Sequence, residues 1–230
     1  MLHVESNRLC VQAEPVDGDP LNEHLRDGMW MGLLAIDLQT RERLRINGRL
    51  QTDDTGFVVE PKEVYPNCPK YIQRRLLRTI DKAEPGHPQR STVLTDAQQA
   101  WIAGADTFFI ASLQPDAGAD VSHRGGDPGF ITVENDRRLW WPDYPGNNMF
   151  STLGNMEAYP PAGLLFVDFD GGAVLQITGT GHVLWEDDRL VAMKDAERLV
   201  EIEITAVREI PGANPLRWEL DGYSPFNPPT

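Results

Sequence analysis

Long apolar segments are absent from this sequence of 230 residues. No apolar run approaches the roughly 18–20 residues that are needed to span a bilayer. The opening ten residues, MLHVESNRLC, also lack the basic and then apolar order of a secretory signal. The sequence therefore predicts a soluble cytoplasmic protein with no membrane partner.

Positive charge is scarce. The chain has 21 Lys and Arg residues against 35 Asp and Glu residues, which gives a formal net charge of −14. A protein that binds nucleic acid needs a basic surface to face the phosphates, so no nucleic-acid partner is expected. A small basic pocket inside the acidic chain remains compatible with these totals.

Cysteine is also rare, with Cys10 and Cys68 the only two in the chain. Neither lies in a cluster of Cys and His residues along the sequence. This spacing argues against a structural zinc site and against a disulfide scaffold. No metal site is expected, and a packing role is the favoured interpretation of Cys68.

Short apolar runs separated by turn residues predict a mainly β fold. The first half contains LCVQAEP, MWMGLLAIDL, RLRINGRL and GFVVEPKEV, and runs of the same kind continue after residue 106. An α/β sheet would need a helix after nearly every strand, and those helices are missing. The pattern favours antiparallel strands that form a closed or partly closed barrel.

Three helices are expected. Ile72, Leu76 and Ile80 repeat at helical spacing and predict a basic helix over about 69–80. A second helix should begin at Thr95, where Gln98 three residues later completes a capping box, and a third should cover about 148–158. The proline-rich tail after residue 213 is expected to lie on the surface.

One internal repeat aligns without gaps. GLLAIDLQTRERLRINGR, which starts at Gly32, matches GLLFVDFDGGAVLQITGT, which starts at Gly163. Both segments predict a strand, a tight turn and a second strand that reaches a glycine. They are either two generic hairpins or parts of two related barrels in tandem, of which the first lacks its opening strands.

The segment from residue 106 to residue 170 carries most of the candidate chemistry. His123 and Arg124 stand at a predicted strand end before Gly125 and Gly126. A strand-to-helix turn follows, and a helix N-terminus offers unpaired N–H groups that suit a phosphate. The polar residues around that turn are Asp143, Tyr144, Asn147, Asn148, Ser151 and Thr152.

Three motifs, ADVSHRGG, WPDYPGNNMFSTLGN and YPNCPKYIQRR, occur together in this chain. In this combination the chain resembles the pyridoxamine 5′-phosphate oxidase-like superfamily, and in particular its group of predicted flavin-nucleotide-binding proteins. The resemblance covers about residues 32–210. It implies a split β-barrel of about six antiparallel strands with flanking helices, a homodimer, and FMN bound in the cleft between partners.

The resemblance also implies a set of cofactor-binding residues. These are Lys70, Tyr71, Arg74, Val121, Ser122, His123, Arg124, Gly125, Asp143, Tyr144, Asn147, Asn148, Ser151 and Thr152. The sequence departs from the oxidases at Ser151 and Thr152, where those enzymes place a basic pair. Arg124 is then the main expected cation for the phosphate, and the basic helix with Lys70 and Arg74 is expected to cover the site.

The predicted division has a truncated barrel-like region at 1–80 that ends in the basic helix, a linker at 81–93, an FMN-binding split barrel at 94–212 and a tail at 213–230. The predicted function is an FMN-dependent oxidoreductase that acts on a small-molecule substrate, and no catalytic residue is predicted. His123 by itself is read as structural. Two alternatives remain open: a non-catalytic protein that binds flavin, haem or deazaflavin, and a structural β-barrel interaction module.

Overall fold

The computed structural model describes residues 2–5, 7–53, 56–81, 84–146, 149–193 and 195–228. In chain order its elements are β1 (Leu2–Glu5), β2 (Arg8–Val11), α1 (Leu21–His24), β3 (Trp30–Asp37), β4 (Glu42–Asp53), β5 (Gly56–Pro66), β6 (Arg74–Ile80), β7 (Gln89–Ser91), α2 (Asp96–Gly104), β8 (Thr107–Gln114), β9 (Gly118–Gly125), β10 (Thr132–Asn135), β11 (Arg138–Asp143), α3 (Ser151–Ala158), β12 (Pro161–Val167), β13 (Val174–Leu184), a 3-10 helix (Asp188–Ala192), β14 (Arg198–Ile210) and β15 (Leu216–Gly222). The mainly β prediction is confirmed. Within the described residues, no helix is both long enough and apolar enough to cross a membrane.

The larger sheet forms the split barrel in the second half of the chain. Its strands follow the order β10-β11-β14-β13-β12-β8-β9, and β7 pairs with β14. The core is aromatic at its centre, where the Phe108 ring lies 4.9 Å from Trp141 and 5.3 Å from Phe166, measured between ring centroids. α2 begins as predicted, because the Thr95 and Gln98 side chains form the reciprocal capping box.

A smaller sheet is built from the first 66 residues in the order β1-β2-β5-β4-β3. Its own core contains Leu9, Leu50, Phe57 and Val59. The two strands β3 and β4 pack against β9 of the barrel. The backbones approach so closely there that a Cβ atom on Gly32 would lie 3.1 Å from the Asp120 backbone.

Both members of the sequence repeat are hairpins, as predicted. Leu33 pairs with Ile46 in β3–β4, and the equivalent Leu164 pairs with Ile177 in β12–β13. The turn is the same in each hairpin, because an aspartate at the end of the first strand or directly after it accepts backbone N–H bonds from residues two and three positions later. Asp37 does so in the first copy and Asp168 in the second.

The helix predicted over 69–80 is wrong. Tyr71 has a φ of 67°, which a right-handed helix cannot contain, and residues 74–80 form the strand β6. The reason is tertiary, since β15 from the far end of the chain pairs with β6. The spacing of Ile72 and Ile80 does not mark one buried face, because Ile72 is fully buried while Ile80 is 57% exposed.

The tail lies largely at the surface, as the sequence predicts, and it is also paired into a sheet. It contributes β15, and after that strand Ser224 is 5% exposed. Gln73 is fully buried and joins the two parts, because its side-chain oxygen accepts a hydrogen bond from the Ser224 backbone N–H at 2.7 Å. Its amide group donates to the Gly126 carbonyl at 3.1 Å. The region predicted as a linker contains β7, which pairs with β14.

Candidate functional site

A cavity of about 80 Å³ lies where β4, β9 and β11 meet the segment before β6 and the segment before α3. Side chains from both sheets line it. The lining residues are Arg43, Arg45, Asn67, Cys68, Tyr71, Ser122, His123, Arg124, Gly125, Phe130, Trp141, Pro142, Asp143, Tyr144, Gly146, Met149, Phe150, Leu153 and Glu197. The walls therefore combine arginines and aromatic rings.

Asp120 anchors one side of the cavity. It is 2% exposed, and its two carboxylate oxygens accept bonds from the Arg45 guanidinium at 2.9 and 3.0 Å. The Thr152 hydroxyl donates to the same carboxylate at 2.8 Å, and the Tyr65 hydroxyl lies 3.4 Å away. The charge of Arg45 is thus neutralised within the protein.

Asp143 at the end of β11 organises a second group. Its carboxylate accepts a hydrogen bond from Arg124 at 2.7 Å and one from Arg198 at 3.3 Å. Arg198 also pairs with Glu197. Two arginines and two carboxylates therefore face each other here, and Arg124 is a paired cation at the cavity wall.

Arg43 differs from these arginines because no carboxylate among the described residues pairs with it. Its guanidinium donates to the His123 ring nitrogen Nδ1 at 3.2 Å. Burial lowers the pKa of Arg43 to about 10, which still leaves it charged at neutral pH. Cys68 is a polar neighbour of Arg43, but no carboxylate among the residues that the structure describes balances the positive charge that Arg43 brings to the cavity.

His123 is buried beside this charge. Burial, reinforced by Arg43, Arg124 and two further arginines, holds the pKa of His123 well below its usual range. Because Arg43 can only donate, Nδ1 accepts and the proton of the neutral ring lies on Nε2. That Nε2 atom is buried and has no hydrogen-bond partner among the described residues.

Acidification should destabilise the protein through His123. The folded state keeps this imidazole neutral, while in the unfolded chain it takes up a proton near pH 6.5. The unfolded state then binds more protons, so the free energy of unfolding should fall below about pH 6.5, by up to about 1.4 kcal/mol per pH unit. Urea unfolding between pH 8 and pH 5 measures this slope.

The matched variants are His123→Asn and His87→Asn, since His87 is exposed. The acid-dependent loss should be smaller in His123→Asn and unchanged in His87→Asn. Identical pH profiles for the wild type and His123→Asn would show that this imidazole is not held neutral.

Several buried polar atoms at the cavity have no hydrogen-bond partner among the described residues. They are the Nε atoms of Arg43, Arg45 and Arg124, Nε2 of His123, Nε1 of Trp141 and Oδ1 of Asn67. Buried donors in folded proteins are nearly always paired. All but one of these atoms are donors, so the cavity is suited to an anion that accepts hydrogen bonds.

Tyrosines form the rim. Burial raises the pKa of Tyr71 to about 12, so its hydroxyl is protonated and donates to the Pro145 carbonyl at 2.9 Å. The Tyr71 and Tyr144 rings lie 5.7 Å apart between centroids. This contact ties the segment before β6 to the segment after β11.

A second, larger cleft of about 510 Å³ adjoins the cavity. Phe130, Pro142 and Tyr144 line both spaces. The rest of the cleft is mainly apolar and is lined by Asp127, Pro128, Gly129, Thr132, Trp140, Ala192, Met193 and Pro228. Its volume falls within the range of about 300–1,000 Å³ that is typical of small-molecule sites.

The structure brings half of the predicted site residues into the cavity lining. These are Tyr71, Ser122, His123, Arg124, Gly125, Asp143 and Tyr144. Lys70, Arg74, Val121, Ser151 and Thr152 are outside the lining. Asn147 and Asn148 lie outside the described residues. The roles of all these residues toward a cofactor stay predictions.

The residues outside the lining have other contacts. Arg74 pairs with Asp221 at 3.2 Å, and Lys70 lies 3.5 Å from the Pro145 carbonyl. Thr152 is bound to Asp120 instead of facing the cavity. A covering basic helix does not exist, because its residues form an irregular segment and the strand β6.

Sequence reasoning missed Arg43 and Arg45, the two arginines that the N-terminal sheet contributes. A signal was present in the internal repeat, where these positions align with the uncharged Val174 and Gln176. Two arginines at alternate positions place both side chains on one face of a strand. Which face that is, and what it meets, depends on how the two sheets pack.

One group of potential metal ligands also comes together among the described residues, outside the cavity. The ligand atoms of His3, Glu5 and Cys10 lie within 4.8 Å of one another on the β1–β2 hairpin. His3 and Cys10 are direct cross-strand partners, so the sequence spacing alone did not reveal the group.

Comparison with known protein families finds a match for the second half of the chain. A family model described as pyridoxamine 5′-phosphate oxidase matches residues 94–215. A search of curated proteins finds no match.

Similar solved structures have low identity. A protein of Lactobacillus delbrueckii described as a pyridoxamine 5′-phosphate oxidase shares 17% identity at a TM-score of 0.43, covering 51% of this chain and 94% of that one. An FMN-binding protein of Syntrophomonas wolfei shares 10% at 0.36, covering 48% and 81%. HupZ of Group A Streptococcus shares 10% at 0.41, covering 57% and 98%.

Proposed function

The chain belongs to the pyridoxamine 5′-phosphate oxidase family, and from that premise we propose that it is an FMN-binding flavoprotein that acts as an oxidoreductase on a small-molecule substrate. The observation that carries this proposal is the cavity, where the buried donors find no acceptor and the charge of Arg43 finds no carboxylate among the described residues. A phosphate group is a dianion with several acceptor oxygens and fits that set of donors.

The cavity and the cleft differ in size, and each suits a different part of FMN. The cavity of about 80 Å³ suits a phosphate group, and it lies below the range of about 300 Å³ and more that whole small-molecule ligands occupy. The adjoining cleft of about 510 Å³ has the aromatic and apolar walls that suit a planar ring. We assign the phosphate to the cavity and the isoalloxazine ring to the cleft.

Individual residues then have defined tasks. Arg43 and Arg124 hold the phosphate through charge, while the His123 Nε2–H group donates to it as a neutral imidazole. Phe130 and Trp140 provide apolar surface for the ring. Tyr144, which lines both spaces, fixes the boundary between the two.

FMN supplies the redox chemistry of such proteins, and the chain supplies binding, orientation and exclusion of water. Among the described residues of the cavity, no hydroxyl or thiol is paired with a free general base. His123 is oriented by Arg43 and is held neutral, which suits a hydrogen-bond donor better than a base. The chain's contribution is thus positional and electrostatic.

Pyridoxamine 5′-phosphate itself is not the substrate that we propose. It carries its own phosphate and would need a second group of cations beside the cofactor's. Among the described residues that line the larger cleft, Asp127 is the one charged residue, and its carboxylate accepts a hydrogen bond from Asn227 at 2.7 Å. An uncharged or weakly charged substrate fits this cleft better.

Absorption spectroscopy of the purified protein tests the proposal. We expect the two bands of oxidised flavin after purification or after addition of FMN, and bleaching of those bands when NADH or NADPH is mixed anaerobically. A Soret band would indicate haem instead. A colourless protein that takes up no FMN would contradict the flavoprotein proposal, and bound flavin that neither nicotinamide reduces would favour a carrier.

A further inference from the structure

The N-terminal sheet has the topology of part of the barrel. Its order β1-β2-β5-β4-β3 corresponds strand by strand to β10-β11-β14-β13-β12. In both, the first two strands form a hairpin, the second strand pairs with the fifth, and a helix precedes the third. The sequence repeat that begins at Gly32 and Gly163 is therefore one segment of a longer structural correspondence.

The two copies share an irregularity as well as an order. The pairing of β4 with β5 shifts register between Asn47 and Gly48, and the pairing of β13 with β14 shifts between Thr178 and Gly179. These two positions are equivalent in the sequence repeat. A Cβ atom on Gly48 would lie 2.1 Å from the Glu60 carbonyl oxygen, so only glycine fits there.

The copies differ in what lies beside their last strand. In the barrel, β12 pairs with β8, and β8 pairs with β9. Within the described residues the equivalent strand β3 is an edge, and its sheet packs on β9 instead. Trp30 fixes this packing, because its indole N–H donates to the Pro115 carbonyl in the β8–β9 turn at 3.1 Å.

This packing sets β3 and β4 against β9, the end strand of the larger sheet, and gives β4 access to the cavity. Arg45 reaches across to Asp120 and Ser122 of β9. Arg43 reaches His123. Arg45 is balanced by a carboxylate, so the net charge that the N-terminal sheet adds to the cavity is that of Arg43.

We propose that the N-terminal sheet is a second copy of the β10–β14 sheet and that it forms one wall of the cavity in the same chain. We also propose that its Arg43 selects ligands with a dianionic phosphate. The inference rests on the proposed function. It means that one chain holds one complete phosphate site to which no second subunit contributes. The expected homodimer stays a prediction, but the site does not need it.

The test compares two ligands that differ only in the phosphate. FMN and riboflavin are titrated into wild-type protein and into Arg43→Met, and flavin fluorescence reports binding. The variant should bind FMN roughly 10- to 100-fold more weakly, as expected for the loss of a charged hydrogen bond, and its riboflavin affinity should not change. Wild-type protein should bind one FMN per chain with an affinity that does not depend on protein dilution.

Two further variants control the result. Arg26→Met removes an exposed arginine of the same half of the chain and should bind FMN like the wild type. Arg43→Lys keeps the charge and should lose less affinity than Arg43→Met. Thermal unfolding without ligand should remain cooperative in all variants, because no described carboxylate pairs with Arg43 and would lose its partner.

The outcomes separate the inference from the proposed function. Wild-type FMN affinity in both Arg43→Met and Arg43→Lys would overturn the inference and leave the flavoprotein proposal standing. An equal loss of FMN and riboflavin binding would also overturn it, because Arg43 would then not distinguish the two ligands by their phosphate. FMN binding that disappears on dilution to single chains would show that a second subunit completes the site. Wild-type protein that binds no FMN would overturn both.

Discussion

Replacement of Asp120 with alanine should lower the free energy of unfolding by about 3–5 kcal/mol, the cost of removing one partner of a buried ion pair. Asp120 is 2% exposed, and its two carboxylate oxygens accept hydrogen bonds from the Arg45 guanidinium. Without it the Arg45 charge stays buried with no carboxylate, and the Thr152 hydroxyl loses its acceptor. Urea unfolding followed by tryptophan fluorescence gives the value.

Asp116→Ala is the matched control, because Asp116 is exposed in the β8–β9 turn of the same hairpin. Its effect should stay within about 0.5 kcal/mol. The double variant Asp120→Ala with Arg45→Met should recover part of the loss, since it removes the unpaired charge as well. A loss below about 1 kcal/mol for Asp120→Ala, the scale of an exposed pair, would mean that this pair does not hold the two sheets together.

Replacement of Arg124 with alanine should weaken FMN binding by about 1.5–3 kcal/mol, the range for hydrogen bonds to charged groups. Arg124 lines the cavity and is oriented by Asp143 at 2.7 Å, while its Nε atom is buried without a partner. The bond to Asp143 fixes the guanidinium before a ligand arrives. Calorimetric titration with FMN measures the change.

Arg78→Ala serves as the control for Arg124→Ala, because the Arg78 side chain is 61% exposed and pairs with Glu219 on β15. It should bind FMN as the wild type does. Unchanged FMN affinity in a folded Arg124→Ala protein would remove Arg124 from the phosphate site and leave Arg43 as its main cation.

Local signals in the sequence predicted those parts of the fold that short-range contacts stabilise. The Thr95 and Gln98 capping box needs only four consecutive residues. The turn bonds accepted by Asp37 and Asp168 span three residues each. For the same reason the segment from Ser122 to Gly125 was recognisable as one side of the site, because neighbours on one strand stay together in any packing.

The basic segment before and within β6 shows where such reasoning stops. Ile72, Leu76 and Ile80 have helical spacing, but the strand forms because Leu216–Gly222 supplies its backbone partner. Those residues are far away in sequence, and the periodicity of the segment itself carries no information about them. Tyr71 and Lys70 consequently lie in an irregular segment at the rim and not on a covering helix.

By itself, the sequence determined the mainly β class, the two hairpins of the repeat, the capped helix α2 and one wall of the cavity, because each depends on residues close together in the chain. Only the tertiary structure decided the charge of the site. Arg124 is balanced by Asp143, Arg45 by Asp120, and Arg43 by no carboxylate among the described residues. Which charges balance each other depends on distances between segments that are remote in sequence. Those distances are set by the tertiary packing and cannot be derived from the order of the residues.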